Sequence, residues 1–202
     1  PDVLVDTRED GRNYFNLSDD TFTVLIAGGS RGARTINNAM IDVHKHFQGT
    51  EGIKLIHITG DGEYKSVLSQ LGITDGDGLG NSSLILPYLH DMPKALAAAD
   101  LAVFRSGAIG LAELAVRGIP SVLVPYPYAA EDHQTYNARI FVQEGAAHMI
   151  VDQMLSSHDL IGEIEMFMAN RDLLSQMGER ALQLGKPNAA HDIAKLALSI
   201  AK

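Results

Sequence analysis

The chain has 202 residues, of which 46% are hydrophobic, and a formal net charge of -9 at pH 7. This length and composition suffice for a buried core, and the acidic balance argues against a nucleic-acid-binding surface, which needs a basic face. The chain has no cysteine, which excludes disulfides, Cys-zinc sites and thiol catalysis. No apolar run approaches the roughly 18 residues that a membrane span requires. We therefore expect a soluble cytoplasmic chain that holds any anionic ligand through local donors.

Short apolar runs alternate with helical patterns after a polar opening. We interpret residues 1–20 as a linker from a domain that is missing here, and residues 21–202 as one domain with a helical tail. The predicted strands cover residues 21–27, 54–59, 83–89, 101–105, 120–126 and 147–151. The predicted helices cover residues 31–47, 62–71, 91–99, 108–117 and 132–144, with a helical tail over 156–202 that breaks at 185–187. This alternation predicts a Rossmann-like α/β fold with a doubly wound parallel sheet, which binds ligands at the carboxyl ends of its strands.

The first informative turn, Gly28-Gly29-Ser30-Arg31-Gly32, follows the first predicted strand. It does not match the dinucleotide pattern G-x-G-x-x-G or the Walker phosphate loop. The Ser30 hydroxyl and the neighbouring amides are suited to one phosphate, because a helix N-terminus attracts anions. A plain tight turn between strand and helix is the alternative.

The second turn belongs to the stretch FRSGAIGLAEL, residues 104–114, which follows the fourth predicted strand. The amides of Ala108 to Leu111 are predicted to be free first-turn donors that suit an anion. Glu113 lies about one helical turn further on. Its carboxylate could accept two hydrogen bonds from the vicinal diol of a ribose, or it could be an ordinary solvated acid on a helix.

The third turn is the stretch VPYPYAAEDHQTYNA, residues 124–138, after the fifth predicted strand. Glu131 and Asp132 suit the start of a helix, as caps and dipole partners. Gln134 and Asn137 follow within the first turns of the same helix. Neutral amides both donate and accept hydrogen bonds, so they suit a hydroxyl-rich ligand such as a sugar.

Two groups of residues could suggest a metal site, and we expect neither to be one. Asp75 and Asp77 lie in a Gly-rich connection without the later acidic ligand of a calcium loop. His44 and His46 are two positions apart on a predicted helix, so they point in different directions. We therefore expect no metal and no cofactor.

Together, and in this order, GGSRGAR, RSGAIGLAEL and VPYPYAAEDHQTYNA resemble the C-terminal domain of the MurG family of glycosyltransferases, from about Phe22 to Val151. That family has the two-domain GT-B architecture and transfers N-acetylglucosamine from UDP-GlcNAc to undecaprenyl-linked muramyl-pentapeptide in peptidoglycan synthesis, converting lipid I to lipid II. The resemblance implies that this chain is the donor-binding half of an inverting transferase. The missing N-terminal domain would bind the lipid acceptor, and the enzyme would lie peripherally on the cytoplasmic side of the membrane.

The resemblance also implies roles for individual residues. Ser30 would contact the diphosphate, the backbone of Leu89 would bind the uracil, and Glu113 would hold the ribose hydroxyls. The residues expected to line the nucleotide are Ala108, Ile109, Gly110, Leu111 and Ala112, and those expected to hold the sugar are Gln134 and Asn137. Many family members carry Thr where this chain has Gly110, so a hydroxyl contact is lost there.

The catalytic base cannot be assigned in this chain and is expected in the missing domain. Three other functions remain open at the level of sequence: a UDP-sugar hydrolase, a glycosyltransferase to another lipid acceptor, and a non-catalytic nucleotide-sugar-binding module.

Overall fold

The computed structural model describes residues 2–29, 33–74 and 79–200. The strands are β1 (Phe22–Ala27), β2 (Ile53–Ile58), β3 (Ser83–Leu86), β4 (Leu101–Phe104), β5 (Ser121–Leu123) and β6 (Ala147–Met149). The helices are α1 (Arg8–Tyr14), α2 (Arg34–His46), α3 (Asp61–Leu71), α4 (Met92–Ala98), α5 (Ala108–Arg117), α6 (His133–Gln143), α7 (Ser157–Ala169), α8 (Arg171–Leu184) and α9 (Ala189–Ile200). Short 3-10 turns occupy Asp2–Leu4, Ala130–Asp132 and Asp152–Met154.

The six strands form one parallel sheet in the order β3-β2-β1-β4-β5-β6, which confirms the predicted doubly wound fold. The register places Ala27, the last residue of β1, opposite both Ile58 and Phe104. Phe104 in turn lies opposite Leu123. The carboxyl ends of these strands are therefore level with one another, and the strand order reverses between β1 and β4, where such sheets bind ligands.

Helices cover both faces of the sheet, which explains why the strands are continuous apolar runs. Val24 and Ile26 of β1 belong to the core that includes side chains of α2 and α7. Leu25 and Ala27 alternate with them and belong to the core on the other face, with side chains of α4, α5 and α6. All of β1 is buried, as a central strand with both faces covered must be.

The opening segment is part of the folded unit, which corrects its interpretation as a plain linker. Thr7 and Asp10 form a reciprocal capping box that starts α1. The helix packs on α4 so closely that a Cβ at Gly11 would lie 2.5 Å from the carbonyl oxygen of Lys94. Arg12 is buried and donates to the carbonyl oxygens of Ser18 and Thr21, so it ties the end of the segment to the start of β1.

The tail is helical as predicted, but it has a second break at Asn170, between α7 and α8. Helix α9 has no buried residue, and Leu196 and Ile200 are among its exposed apolar side chains. The expectation that this face packs on a neighbour stays a prediction. Across the described ranges, none of the helices combines the length and apolar character needed to cross a bilayer.

A buried chain of hydrogen bonds links β3, β2 and α2. Asn37 donates through Nδ2 to the carbonyl oxygen of Thr59 (3.0 Å), so its Oδ1 is the acceptor for His57 Nε2 (3.0 Å). His57 Nδ1 must then accept from His44 Nε2 (3.0 Å), and His44 Nδ1 accepts from the Ser83 hydroxyl (2.8 Å). Each histidine is therefore neutral with a defined tautomer.

We expect this pair to make the fold sensitive to acid. Burial lowers the pKa of His44 from 6.5 to about 4, and burial and His44 hold the pKa of His57 well below 6.5. Between these pKa values the two histidines bind protons in the unfolded chain but not in the folded chain. The free energy of unfolding therefore falls as the pH drops below 6.5. For His44 alone, the loss of unfolding free energy reaches about 3 kcal/mol at about pH 4. Urea unfolding measured at a series of pH values tests this loss.

A matched pair of variants separates this effect from general acid denaturation. His57→Asn removes one buried titrating group and should reduce the pH dependence. His158→Gln removes an exposed histidine of α7 and should leave it as in the parent chain. The same pH dependence in both variants would contradict the assignment to the buried pair.

Candidate functional site

The turns that follow β1, β4 and β5 meet at the carboxyl edge of the sheet, as expected. The described part of the first turn ends at Gly29, whose φ of +88° favours glycine. Ser30 lies outside the described residues, and its contact with a diphosphate stays a prediction. Arg34, at the start of α2, donates through Nε and Nη2 to Oε1 of Glu63 on α3 (3.1 and 2.9 Å), so it stabilises the surface between two helices.

The N-terminus of α5 lies at the switch between β1 and β4. Gly107 is its N-cap and provides no side chain to cap the helix. The Leu111 amide donates to the Gly107 carbonyl oxygen (3.0 Å), so Leu111 is not one of the free first-turn donors that the sequence predicted. Its side chain is buried in the core, whereas Ala108 and Ile109 are exposed. The amides of residues 108–110 have no acceptor within the helix and point away from its N-terminus, towards an anion site.

Glu113 lies on α5 about 7.5 Å along the helix axis from Ala108, given the rise of an α-helix. Its carboxylate is half-buried, and burial raises its pKa. Within the described part of the chain it has neither a hydrogen-bond donor nor an ion-pair partner. A partly desolvated carboxylate without a partner, beside a helix N-terminus, is a strong candidate for ligand binding. Ala112, next to it, is exposed.

Ser106 joins the turn after β4 to the first turns of α6. Its hydroxyl donates to the carbonyl oxygen of Gln134 (2.8 Å), and its own carbonyl oxygen accepts from Asn137 Nδ2 (3.2 Å). The Gln134 side-chain oxygen accepts from the amide of Tyr126 (3.0 Å). The structure therefore brings Gln134 and Asn137 next to the start of α5. Among the residues that it describes, Gln134 Nε2 and Asn137 Oδ1 have no hydrogen-bond partner, so both could bind a ligand.

The loop before α6 is strained. Glu131 and Asp132 have φ of 51° and 52°, in the left-handed region, which costs about 1–2 kcal/mol per non-glycine residue. Asp132 does not cap α6 with its side chain and instead accepts from the Thr135 hydroxyl (2.6 Å). The His133 ring contacts the carbonyl oxygen of Ala130 (2.8 Å), which braces the loop. Such strain is concentrated at functional sites.

Arg105, which the sequence analysis missed, holds several turns of this edge together through hydrogen bonds. Its Nη1 donates to the carbonyl oxygens of Val124 and Pro125 (both 3.1 Å) and to the carboxylate of Asp152. Asp152 also accepts from the Thr35 hydroxyl of α2 (3.1 Å). The largely buried Arg105–Asp152 pair therefore connects the turns after β4, β5 and β6 to the start of α2. Arg105 comes directly after its strand in the sequence, which is the signal that could have found it.

Leu89 follows β3, at the outer edge of the sheet, and is half-buried beside the exposed ring of Tyr88. Neighbouring parallel strands are about 4.8 Å apart, so the end of β3 lies about 14 Å from the end of β4. The carboxyl edge thus offers an extended row from Leu89 to Glu113 and Gln134. The proposed contact of Leu89 with a base stays a prediction.

Among the residues described, no group of three His, Asp or Glu side chains is placed to hold a metal ion. His44 is buried in its hydrogen-bonded chain, whereas His46 is exposed and contacts Glu165 (2.8 Å), so the two side chains lie in different surroundings. Asp75 and Asp77 lie outside the described residues.

Comparison with known proteins gives a family for this geometry. A profile of the glycosyltransferase family 28 C-terminal domain matches residues 23–196. The chain is 41% identical over 198 residues to the UDP-N-acetylglucosamine–N-acetylmuramyl-(pentapeptide) pyrophosphoryl-undecaprenol N-acetylglucosamine transferase of Desulforamulus reducens, covering 96% of this chain and 53% of the relative. It is 40% identical over 201 residues to the enzyme of the same name from Desulfitobacterium hafniense, and this match covers 100% of this chain and 54% of the relative.

The crystal structure of Acinetobacter baumannii MurG superimposes with a TM-score of 0.77 and 28% identity, covering 98% of this chain and 55% of that one. The chain therefore spans about half the length of the relatives that it matches. The family profile covers most of the chain, and the two relatives align with it almost from end to end. This chain belongs to the family of glycosyltransferase 28 C-terminal domains.

Proposed function

We propose that this chain is the UDP-GlcNAc-binding half of an inverting glycosyltransferase that adds N-acetylglucosamine to a lipid-linked muramyl-pentapeptide. The whole enzyme would include an N-terminal domain that binds the acceptor, and it would work peripherally at the cytoplasmic face of the membrane. The names of the relatives support this activity. The carboxyl edge of the sheet supports the role of this half.

Glu113 is the observation that carries the proposal. Its carboxylate is half-buried and has no partner in the described part of the chain, so it is ready to accept hydrogen bonds. A phosphate at contact distance would be repelled, whereas a ribose diol can donate to both carboxylate oxygens. The distance along α5 from the first-turn amides to Glu113 separates the phosphate position from the diol position. A nucleotide lying along the first half of α5 fulfils both conditions.

In the part of the chain that the structure describes, dipoles rather than free cations would hold the diphosphate. The amides of residues 108–110 and the positive end of the α5 dipole face it, and Ser30 is proposed to add a hydroxyl donor from the first turn. Gln134 Nε2 and Asn137 Oδ1 would bind hydroxyls of the sugar. In this arrangement UDP-GlcNAc extends from the sheet edge near Leu89 to the start of α6.

The reaction that we infer is a direct displacement at the anomeric carbon. The acceptor hydroxyl oxygen forms the new bond to that carbon, and the bond to the β-phosphate oxygen breaks with its electron pair leaving on UDP. The acceptor proton goes to a base that we place in the missing domain. In this chain the α5 amides would stabilise the charge that develops on the leaving diphosphate, which is how preorganised dipoles lower a barrier.

Glu113→Ala should weaken the binding of UDP by about 10- to 150-fold, because a hydrogen bond to a charged group contributes about 1.5–3 kcal/mol. Titration calorimetry on this chain measures it. The matched control is Glu179→Ala, which removes an exposed acid from α8 and should change nothing.

The ribose contact itself can be isolated by a cycle with 2′-deoxy-UDP. The parent chain should bind the deoxy ligand more weakly than UDP, whereas Glu113→Ala should bind both alike. If the parent chain does not discriminate between the two ligands, Glu113 does not hold the 2′-hydroxyl.

Replacing Gln134 should weaken the binding of UDP-GlcNAc more than the binding of UDP, because Gln134 is proposed to contact the sugar. Gln134→Glu keeps an oxygen for the Tyr126 amide but removes the Nε2 donor, and Gln134→Ala removes both. Each variant should lose more affinity for UDP-GlcNAc than for UDP in competition calorimetry. Equal losses for the two ligands would show that Gln134 acts only through the order of its loop.

The transfer reaction is tested on the full-length protein that contains this chain. Incubation with UDP-GlcNAc and the muramyl-pentapeptide lipid should give the disaccharide lipid and UDP. Release of free N-acetylglucosamine in the presence of the lipid would identify a hydrolase and contradict the proposal.

A further inference from the structure

The amino end of the sheet carries a basic cavity, on the opposite side from the candidate donor site. It has a volume of about 350 Å³ and lies among α1, α4, α5, α8 and the segments that lead into β4 and β5. The polar side chains that line it come from Arg8, Asp100, Arg117, Arg171 and Ser175. Pockets of this size hold small molecules rather than a single water.

The cavity has more positive than negative charge. Three guanidinium groups line it, and Asp100 is its one lining carboxylate among the described residues. Asp100 already accepts from Arg8 and from the amide of Thr23 (2.8 Å), and its carboxylate lies 3.9 Å from Arg171. Arg12, largely buried behind it, adds a fourth guanidinium 3.8 Å from the same carboxylate. Arg12 also donates to the carbonyl oxygens of Ser18 and Thr21, so the charges of Arg8 and Arg171 are the ones that share Asp100 at the cavity.

Arg117 is the least satisfied of these groups. Its Nε and Nη2 are inaccessible to solvent and have no hydrogen-bond partner among the described residues. The other acid near it, Asp6, is engaged by Lys94 (2.7 Å). Arg117 lies in the last turn of α5, where its charge also offsets the negative end of the helix dipole. Buried charged donors without acceptors are costly, so Arg117, which also lines the cavity, would be stabilised by a negative charge nearby.

We propose that this cavity is a binding site for a small molecule that carries a phosphate or pyrophosphate group. Phosphate oxygens accept from several guanidinium groups at once, which matches converging arginines better than a carboxylate does. The concentration of arginine is not a consequence of composition, because the chain as a whole has a net charge of -9. Helix α5 connects the two sites: its N-terminus faces the donor site, and its last residue, Arg117, lines this cavity.

Two glycine amides allow the sites to be observed separately in one experiment. Gly107 caps the N-terminus of α5, and Gly118 follows its C-terminus and lines the cavity. Inorganic pyrophosphate is titrated into the isotope-labelled chain at constant ionic strength, without UDP, and the amides of the two sites are followed separately. The amide resonances of Gly118, Arg171 and Ser175 should shift in a saturable manner with a dissociation constant of their own, distinct from any response of Gly107.

The double variant Arg117→Gln/Arg171→Gln should weaken this binding by about tenfold or more, since it removes two charged donors. The matched control is Arg139→Gln, which removes an exposed arginine of α6. Thermal unfolding checks that each variant is folded, and Arg117→Lys, which keeps the charge, should retain part of the affinity if the double variant is unstable. Shifts that do not saturate, or equal affinity in the double variant and the control, would overturn the proposal.

A second arm identifies the source of the phosphate. Sedimentation of the chain with vesicles of anionic phospholipid, abolished in the double variant, would show that the group belongs to a lipid headgroup. Binding of pyrophosphate without such sedimentation would show a soluble ligand. The response of Gly107 to UDP reports the donor site on its own, so the two proposals can fail independently.

Discussion

Parallel hydrogen bonding between β1 and β4 places Ala27 level with Phe104, and the candidate site depends on this pairing. The turns that leave these two strand ends are far apart in the sequence, yet they start on adjacent strands. Because β5 pairs with β4 in the same register, the turn before α6 joins them. The candidate site is therefore an open row of donors and acceptors along the edge of the sheet.

An acidic chain can hold an anion at this edge because its donors are dipoles. Among the residues that the structure describes, Arg34 and Arg105 near this edge are already paired, with Glu63 and Asp152 respectively. Of the described groups, the N-terminus of α5 is then left for a proposed diphosphate, and the carboxylate of Glu113 and the amide of Gln134 are left for hydroxyls. Specificity for a sugar nucleotide over a simple phosphate would then come from the order of these groups along the edge.

Features that depend on local sequence were the ones that could be predicted. All six strands could be predicted from continuous apolar runs, since both faces of the sheet are covered. The position of Glu113 on α5 could be predicted from its spacing after Gly107. Helix α1 was missed because its residues look polar and its stability comes from tertiary contact with α4, where Gly11 allows the close approach. The Arg105–Asp152 pair joins residues from two strand ends, and the sequence does not show that these two meet.

The start of α5 at Gly107 shows a finer limit on what the sequence can predict. One residue of difference in the N-cap decides whether the Leu111 amide is free, and backbone geometry, not residue type, decides it. The buried histidines are similar: His44 and His57 could be placed on α2 and β2, but only packing shows that they form a neutral pair. The sequence therefore predicted which turns meet at the edge, and the structure shows which of the described groups there already have a partner, while the roles of these groups stay predictions.

Hydrogen–deuterium exchange of this chain, with and without millimolar UDP-GlcNAc, tests the central claim most directly. Bound donor should protect the amides at the start of α5 and the first turns of α6. No protection at the start of α5 at saturating ligand would contradict the assignment of this chain as a nucleotide-sugar-binding domain.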